Sequence, residues 1–175
     1  MIRKITITIL SLLVVINTSV AYACDFKMGQ FGDSREKIKL DPPPMSFPDQ
    51  FEGETVLIPL QQVCKDDEDL FGTQIMLLYV NKKLLQVRLE RPNYNDAKLM
   101  DFAMKKYGAF SLPAGIKKED WRGNYQWENS SEIIIYDYVN THDGSLEILE
   151  LNSKLYEKNL ITYFEKFGKW LDSQK

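Results

Sequence analysis

Thr73-Gln74-Ile75-Met76-Leu77-Leu78-Tyr79-Val80, then Asn81-Lys82-Lys83, then Leu84-Leu85-Gln86-Val87-Arg88-Leu89-Glu90-Arg91, is the stretch that decides the fold. An apolar, β-rich run meets a short polar turn and returns as a second run. In the return, Leu85, Val87 and Leu89 alternate with Gln86, Arg88 and Glu90, the period of a strand with one face buried and one face wet. Pro92 ends it, because proline cannot donate to a ladder. A hairpin is therefore expected at the centre of the chain.

The same patterns repeat outward. Thr55 to Val63 reads as another strand, with Pro59 pointing to an edge or a bulge. Glu132 to Val139, Thr141-His142-Asp143-Gly144 and Leu146 to Leu151 read as a second hairpin. Between the hairpins, Asn93 or Asn95 caps a helix from Asp96 to Tyr107, with Leu99, Phe102 and Ala103 on one side and Gly108 as its stop. A last helix covers about Lys158 to Leu171. There Tyr156, Leu160, Tyr163, Phe167 and Trp170 fall at helical spacing, and Phe164 and Leu171 widen the stripe. If that stripe is too broad for its own sheet, the excess is a protein contact. Asp25 to Gln30 is expected as a first strand. Asp33-Ser34-Arg35-Glu36 has the spacing of a capping box and opens a short helix to about Leu40, which Pro42-Pro43-Pro44 stops. Asp41 to Asp49 is expected to be extended and on the surface. Hairpins with helices between them, and no βαβ rhythm, give an α+β fold with a mostly antiparallel sheet in a single domain.

The first 23 residues have a different character. Met1-Ile2-Arg3-Lys4 is a basic start, Ile5 to Ile16 is largely apolar, and Ala21-Tyr22-Ala23 puts small residues where a signal peptidase reads. This is the order of a cleavable secretory signal, so residues 1–23 are expected to be removed and residues 24–175 exported to the periplasm or beyond. The apolar run is too short for a membrane span, which needs about 20 residues. Ala21-Tyr22-Ala23-Cys24 also loosely fits a lipobox, and a lipidated Cys24 would make the product a membrane-anchored lipoprotein instead.

The whole chain has 175 residues and a formal net charge of −3. The leader carries Arg3 and Lys4 and no acid, so residues 24–175 hold 20 basic against 25 acidic residues. Such a balance argues against a nucleic-acid binder and against charge-driven adhesion to anionic lipid. Both cysteines, Cys24 and Cys64, lie in the exported part, where one pairing is possible. A Cys24–Cys64 disulfide would close a loop of about 40 residues and stabilise by roughly 3–4 kcal/mol.

The order of short helix, hairpin, helix ending Lys106-Tyr107-Gly108, Trp127 and second hairpin resembles many small exported bacterial α+β proteins of unknown function. The resemblance implies a fold and a compartment, and no activity.

Four patterns invite chemistry. Phe31-Gly32-Asp33-Ser34 resembles the nucleophile block of the GDSL hydrolases, but that chemistry needs Asp-x-x-His, and the sole histidine, His142, has Val139 three residues before it. A serine hydrolase built on Ser34 and His142 is thus the weaker alternative, and no catalytic residue is assigned. Ser34-Arg35-Glu36-Lys37 spells Ser-x-x-Lys without its partner motifs. Asp66-Asp67-Glu68-Asp69, read as a calcium loop starting at Asp67, puts Phe71 and Leu78 where oxygen ligands are required. One histidine and two cysteines leave no transition-metal set, and no glycine-rich phosphate loop exists, so neither metal nor cofactor is expected. Trp121, Tyr125 and Trp127 remain. Within a loop before a core strand they pack on the core or form a stacking platform for another envelope protein or a glycan. The sequence is therefore read as a non-enzymatic, macromolecule-binding accessory protein.

Overall fold

The computed structural model describes residues 26–65 and 68–174. Seven strands form one sheet in the order β1-β2-β3-β4-β7-β6-β5. They are β1 (Met45–Pro48), β2 (Gly53–Pro59), β3 (Gln74–Val80), β4 (Lys83–Pro92), β5 (Gly123–Glu128), β6 (Glu132–Thr141) and β7 (Gly144–Ser153). Every neighbouring pair is antiparallel. Three helices accompany the sheet: α1 (Leu60–Val63), α2 (Lys98–Tyr107) and α3 (Glu157–Ser173). The α+β class and the antiparallel sheet expected from the sequence are therefore present.

The central turn forms as its residues require. Asn81 and Lys82 sit at φ 51° and 63°, and β3 pairs Val80 with Lys83 across them. Two residues with positive φ make the tight turn whose twist matches the flanking strands. The wet face expected on β4 is only partly correct. The register slips between Leu78 and Tyr79, so Leu78 faces Gln86 while Tyr79 faces Leu84. Leu85 is the extra residue of a bulge. It turns away from Val87 and Leu89 and joins Leu78, Val80, Leu160 and Tyr163 on the far side of the sheet.

The two faces have separate cores. The larger holds Val56, Ile58, Ile75, Leu77, Tyr79, Val87, Leu89, Ile134, Tyr136, Tyr138, Leu149 and Leu151, covered by α2 and by the chain around Phe26. The smaller lies under α3 at the β3–β4 turn. Tyr163 of α3 reaches across that end and donates to Asp49 Oδ2 at 2.6 Å. Beyond α3 the second face is open. Arg88 lies there between Glu90 (2.7 Å) and Glu150 (3.5 Å), with Ile135 and Ile148 half-buried around them. Burial pushes the carboxyls of Glu150 and Asp137 above the usual range, and Arg88 pulls both back.

Several local expectations are corrected. Residues 26–30 form a turn and no strand. The helix expected from Asp33 to Leu40 is one 3-10 turn, Arg35–Lys37, with no side-chain cap from Ser34. Asp33 instead accepts from the Gln30 amide (2.9 Å) and Lys37 Nζ (2.6 Å). The strand expected over 55–63 ends at Pro59, and Leu60–Val63 coils into α1. Pro59 marks the strand's end and not an edge, since the edge is β1, supplied by the extended residues after Pro44.

Candidate functional site

Trp121, Tyr125 and Trp127 are brought together, but only Trp121 lies on a loop. Tyr125 and Trp127 belong to β5, the edge strand at the far end of the sheet, and alternate with exposed Asn124, Gln126 and Glu128. Register places Tyr125 opposite Tyr136 and Trp127 opposite Ile134, both core-facing positions of β6. Trp121 precedes β5 and lies nearly parallel to the Tyr136 ring, 6.1 Å away with an interplanar angle of 11°. Gly123 allows this. A Cβ there would stand 2.8 Å from the Trp121 ring, so any side chain would lift the indole off the sheet.

The hub of the group is Phe110, in the segment between α2 and β5. Its ring stacks on Tyr125 (4.2 Å, 8°) and meets Trp121 (5.5 Å) and Trp127 (5.7 Å). Trp127 in turn meets Tyr107 at the end of α2 (6.0 Å). Its Nε1–H donates to the Gly108 carbonyl at 2.8 Å. Gly108 holds φ 115° and caps α2 by giving its own N–H to Met104. The helix stop and the indole are thereby one unit. Arg122 completes the rim: it stacks on Tyr138 (3.8 Å), donates through Nε to Asn140 (2.8 Å), and holds the Glu119 and Trp121 carbonyls through Nη1.

Below the rings lies a buried charge pair. Glu147 of β7 is 0% exposed and Arg91 of β4 is 2% exposed. Glu147 accepts from Tyr136 Oη (2.8 Å), the Met100 and Leu99 amides (3.1 and 3.5 Å) and Arg91 (3.4 Å). It caps α2 from outside the helix: the residue before α2 is Ala97, at φ 52°, which has no side chain to cap with, and Asp96 accepts only from the Lys98 amide, at 3.3 Å. Arg91 also grips Asp96 through two nitrogens, one at 2.9 Å, and lies over the Tyr94 ring. Burial pushes the Glu147 carboxyl upward, opposed by its four donors. Burial also pushes the Tyr136 hydroxyl well up, with Glu147 adding to it. Tyr136 thus joins the two layers, its hydroxyl on the carboxylate and its ring under Trp121.

The other sequence candidates stay apart. Ser34 lies beside the Leu84 end of β4, where Gly32 and Asp33 exchange backbone hydrogen bonds with Leu84. His142 is exposed in the turn between β6 and β7, at the Pro92 end of β4. Eight strand residues separate those ends, on the order of 25 Å, so Ser34 and His142 form no catalytic pair. Of the acidic run, Asp66 and Asp67 lie outside the described residues, and Asp69 pairs with Lys98 at 2.9 Å. Among the described residues no group of three or more His, Cys, Asp or Glu is placed to hold a metal ion. Cys64 is buried in the larger core, while Cys24 and the whole leader lie outside the described residues. No helix among the described residues is long and apolar enough to cross a membrane.

No protein-family model, no curated protein and no solved structure matches the chain.

Proposed function

We propose that the chain is an exported, non-enzymatic accessory protein, folded as a single domain, that captures another envelope macromolecule at the aromatic edge of its sheet. The observation carrying this reading is the coincidence of an edge strand, β5, with a preassembled ring cluster on one of its faces. An edge strand offers main-chain donors and acceptors to an incoming extended segment, and flanking rings offer pockets for alternate side chains. An extended segment of another protein fits both features, whereas a glycan uses only the rings. Tyr125, 37% exposed, is the ring most available to a partner.

The test is capture from an envelope extract by wild-type protein and by Tyr125→Ala, Trp121→Ala and Trp127→Ala. Loss of the shared aromatic surface is expected to weaken retention by about tenfold or more. Equal capture by all three variants, each still folded by circular dichroism, removes the aromatic edge as the site.

Export and the fate of Cys24 belong to the same proposal. Phe26 is buried beside Phe102, beneath the Lys106 ammonium, in the cluster that contains Cys64. Cys24 itself lies outside the described residues, and in an oxidising compartment its one possible partner within the chain is Cys64. Non-reducing mass spectrometry of the secreted product is expected to give residues 24–175 with two hydrogens fewer than the reduced chain. A diacylglyceryl mass on Cys24 would establish the lipoprotein instead, and two free thiols would remove the bridge.

A further inference from the structure

Helix α3 carries more apolar surface than its sheet can cover. Leu160 and Tyr163 are buried, and Phe167 and Trp170 pack around Phe51. A second set faces outward: Ile161 is 51% exposed, Phe164 46% and Leu171 45%. With 3.6 residues per turn, Ile161, Phe164, Gly168 and Leu171 fall within an arc of about 80°. They form one stripe along the helix, with a glycine in its middle.

Among the described residues, neither a positive φ nor a close contact requires a glycine at position 168. A glycine inside a helix weakens it, and a Cβ at this position would meet nothing within 4 Å. A gap in an otherwise bulky exposed stripe is the shape that receives a large side chain from another helix. We propose that this stripe is a self-complementary interface, and that its occupant is α3 of a second copy of the chain, lying antiparallel.

The sequence satisfies the two-fold rule that each contact occurs twice. With the dyad at residue 166, Ile161 faces the second copy's Leu171, and Phe164 faces its Gly168. The ring fills the gap, and the reciprocal contact repeats it. At the stripe's polar margin, Lys158 and Asp172 lie at opposite ends, and the same dyad brings Lys158 to within two residues of register, about 3 Å along the axis, of the second copy's Asp172 at both ends, a gap the lysine side chain spans. A parallel pair would instead oppose like charges. The other apolar occupant, a lipid surface, receives no electrostatic help: α3 holds Lys158, Lys166 and Lys169 against Glu157, Glu165 and Asp172. Amphipathic helices that lie on anionic membranes are rich in basic residues.

Sedimentation velocity of the full chain, produced with its leader in a secreting host, tests this over a wide dilution series. The expected result is a monomer–dimer equilibrium that Phe164→Glu and Gly168→Leu both shift to monomer, with far-ultraviolet circular dichroism unchanged. Gly168→Leu projects into solvent in the monomer, so it reports on the interface even where Phe164→Glu disturbs the helix. Lys158→Asp is expected to weaken association about tenfold, and Lys158→Asp with Asp172→Lys to restore it, which only the antiparallel register explains. A monomer at every concentration, or a dimer indifferent to Gly168→Leu, overturns the proposal. Monomer that floats with phosphatidylcholine vesicles, and loses this with Phe164→Glu, assigns the stripe to lipid and overturns it equally.

Discussion

Glu147→Ala is expected to lower the free energy of unfolding by about 3–5 kcal/mol, the range for breaking a buried ion pair by deleting one partner. The loss has three named parts. Arg91 keeps Asp96 at the surface side but loses its fully buried counter-charge. The Leu99 and Met100 amides lose their acceptor at a helix start where Asp96 serves only the Lys98 amide. The Tyr136 hydroxyl is left buried without a partner. Chemical denaturation measures the sum. Replacing both charges, Arg91→Met with Glu147→Met, is expected to cost less than Glu147→Ala alone, because no uncompensated charge remains.

Glu147→Gln separates charge from shape and has a definite pH dependence. Burial raises the carboxyl in the folded chain above its unfolded value. The folded state then binds the proton more tightly, so this group favours folding most below the unfolded value, and that contribution is lost as pH rises through the folded one. The stability difference between wild type and Glu147→Gln is therefore expected to move in the variant's favour as pH rises across that window. A difference independent of pH would mean that the four donors cancel burial completely.

How far the sequence reveals these features depends on where each signal lies. The alternation of Val87 and Leu89 with Arg88 and Glu90 is enough to place β4, because those residues obey the strand period without interruption. Leu85 escapes the same reasoning because a bulge shifts register without changing hydropathy, and only pairing with Leu78 and Tyr79 exposes it. β5 is legible in principle: Tyr125 and Trp127 alternate with Asn124, Gln126 and Glu128, the period of a one-faced strand. Their closeness to Trp121 also reads as a recognition loop, which masks that period. Glu147 cannot be found this way. In Leu146-Glu147-Ile148-Leu149, hydropathy sends the glutamate outward, yet register sends Leu146 and Ile148 to the open face and Glu147 inward. Its reason is the start of α2, close to fifty residues earlier, which no local window contains.

Phe110→Ala is expected to do more damage than removal of any one of the three rings singled out by sequence. Truncating a fully buried phenylalanine costs about 3–5 kcal/mol, and Phe110 is half-buried, so about 2–3 kcal/mol is expected. The functional loss should be larger than that figure suggests. Trp121, Tyr125 and Trp127 each touch Phe110, whereas among these three only Tyr125 and Trp127 touch one another. Without the hub, Trp121 keeps its stack on Tyr136 and Trp127 keeps its bond to Gly108, but no ring bridges the two indoles, and only the β5–β6 ladder relates them. A partner that needs both would meet two unbridged rings, one on β5 and one on the loosened segment before it. Tryptophan emission should shift to the red as both indoles gain water, and capture should fall at least as far as with Tyr125→Ala. Ile116→Ala, in the same segment but 45% exposed, is the control; it should change stability by less than about 0.5 kcal/mol. If Phe110→Ala behaves like Ile116→Ala, the rings are held by the strand alone, and the segment between α2 and β5 has no part in the site.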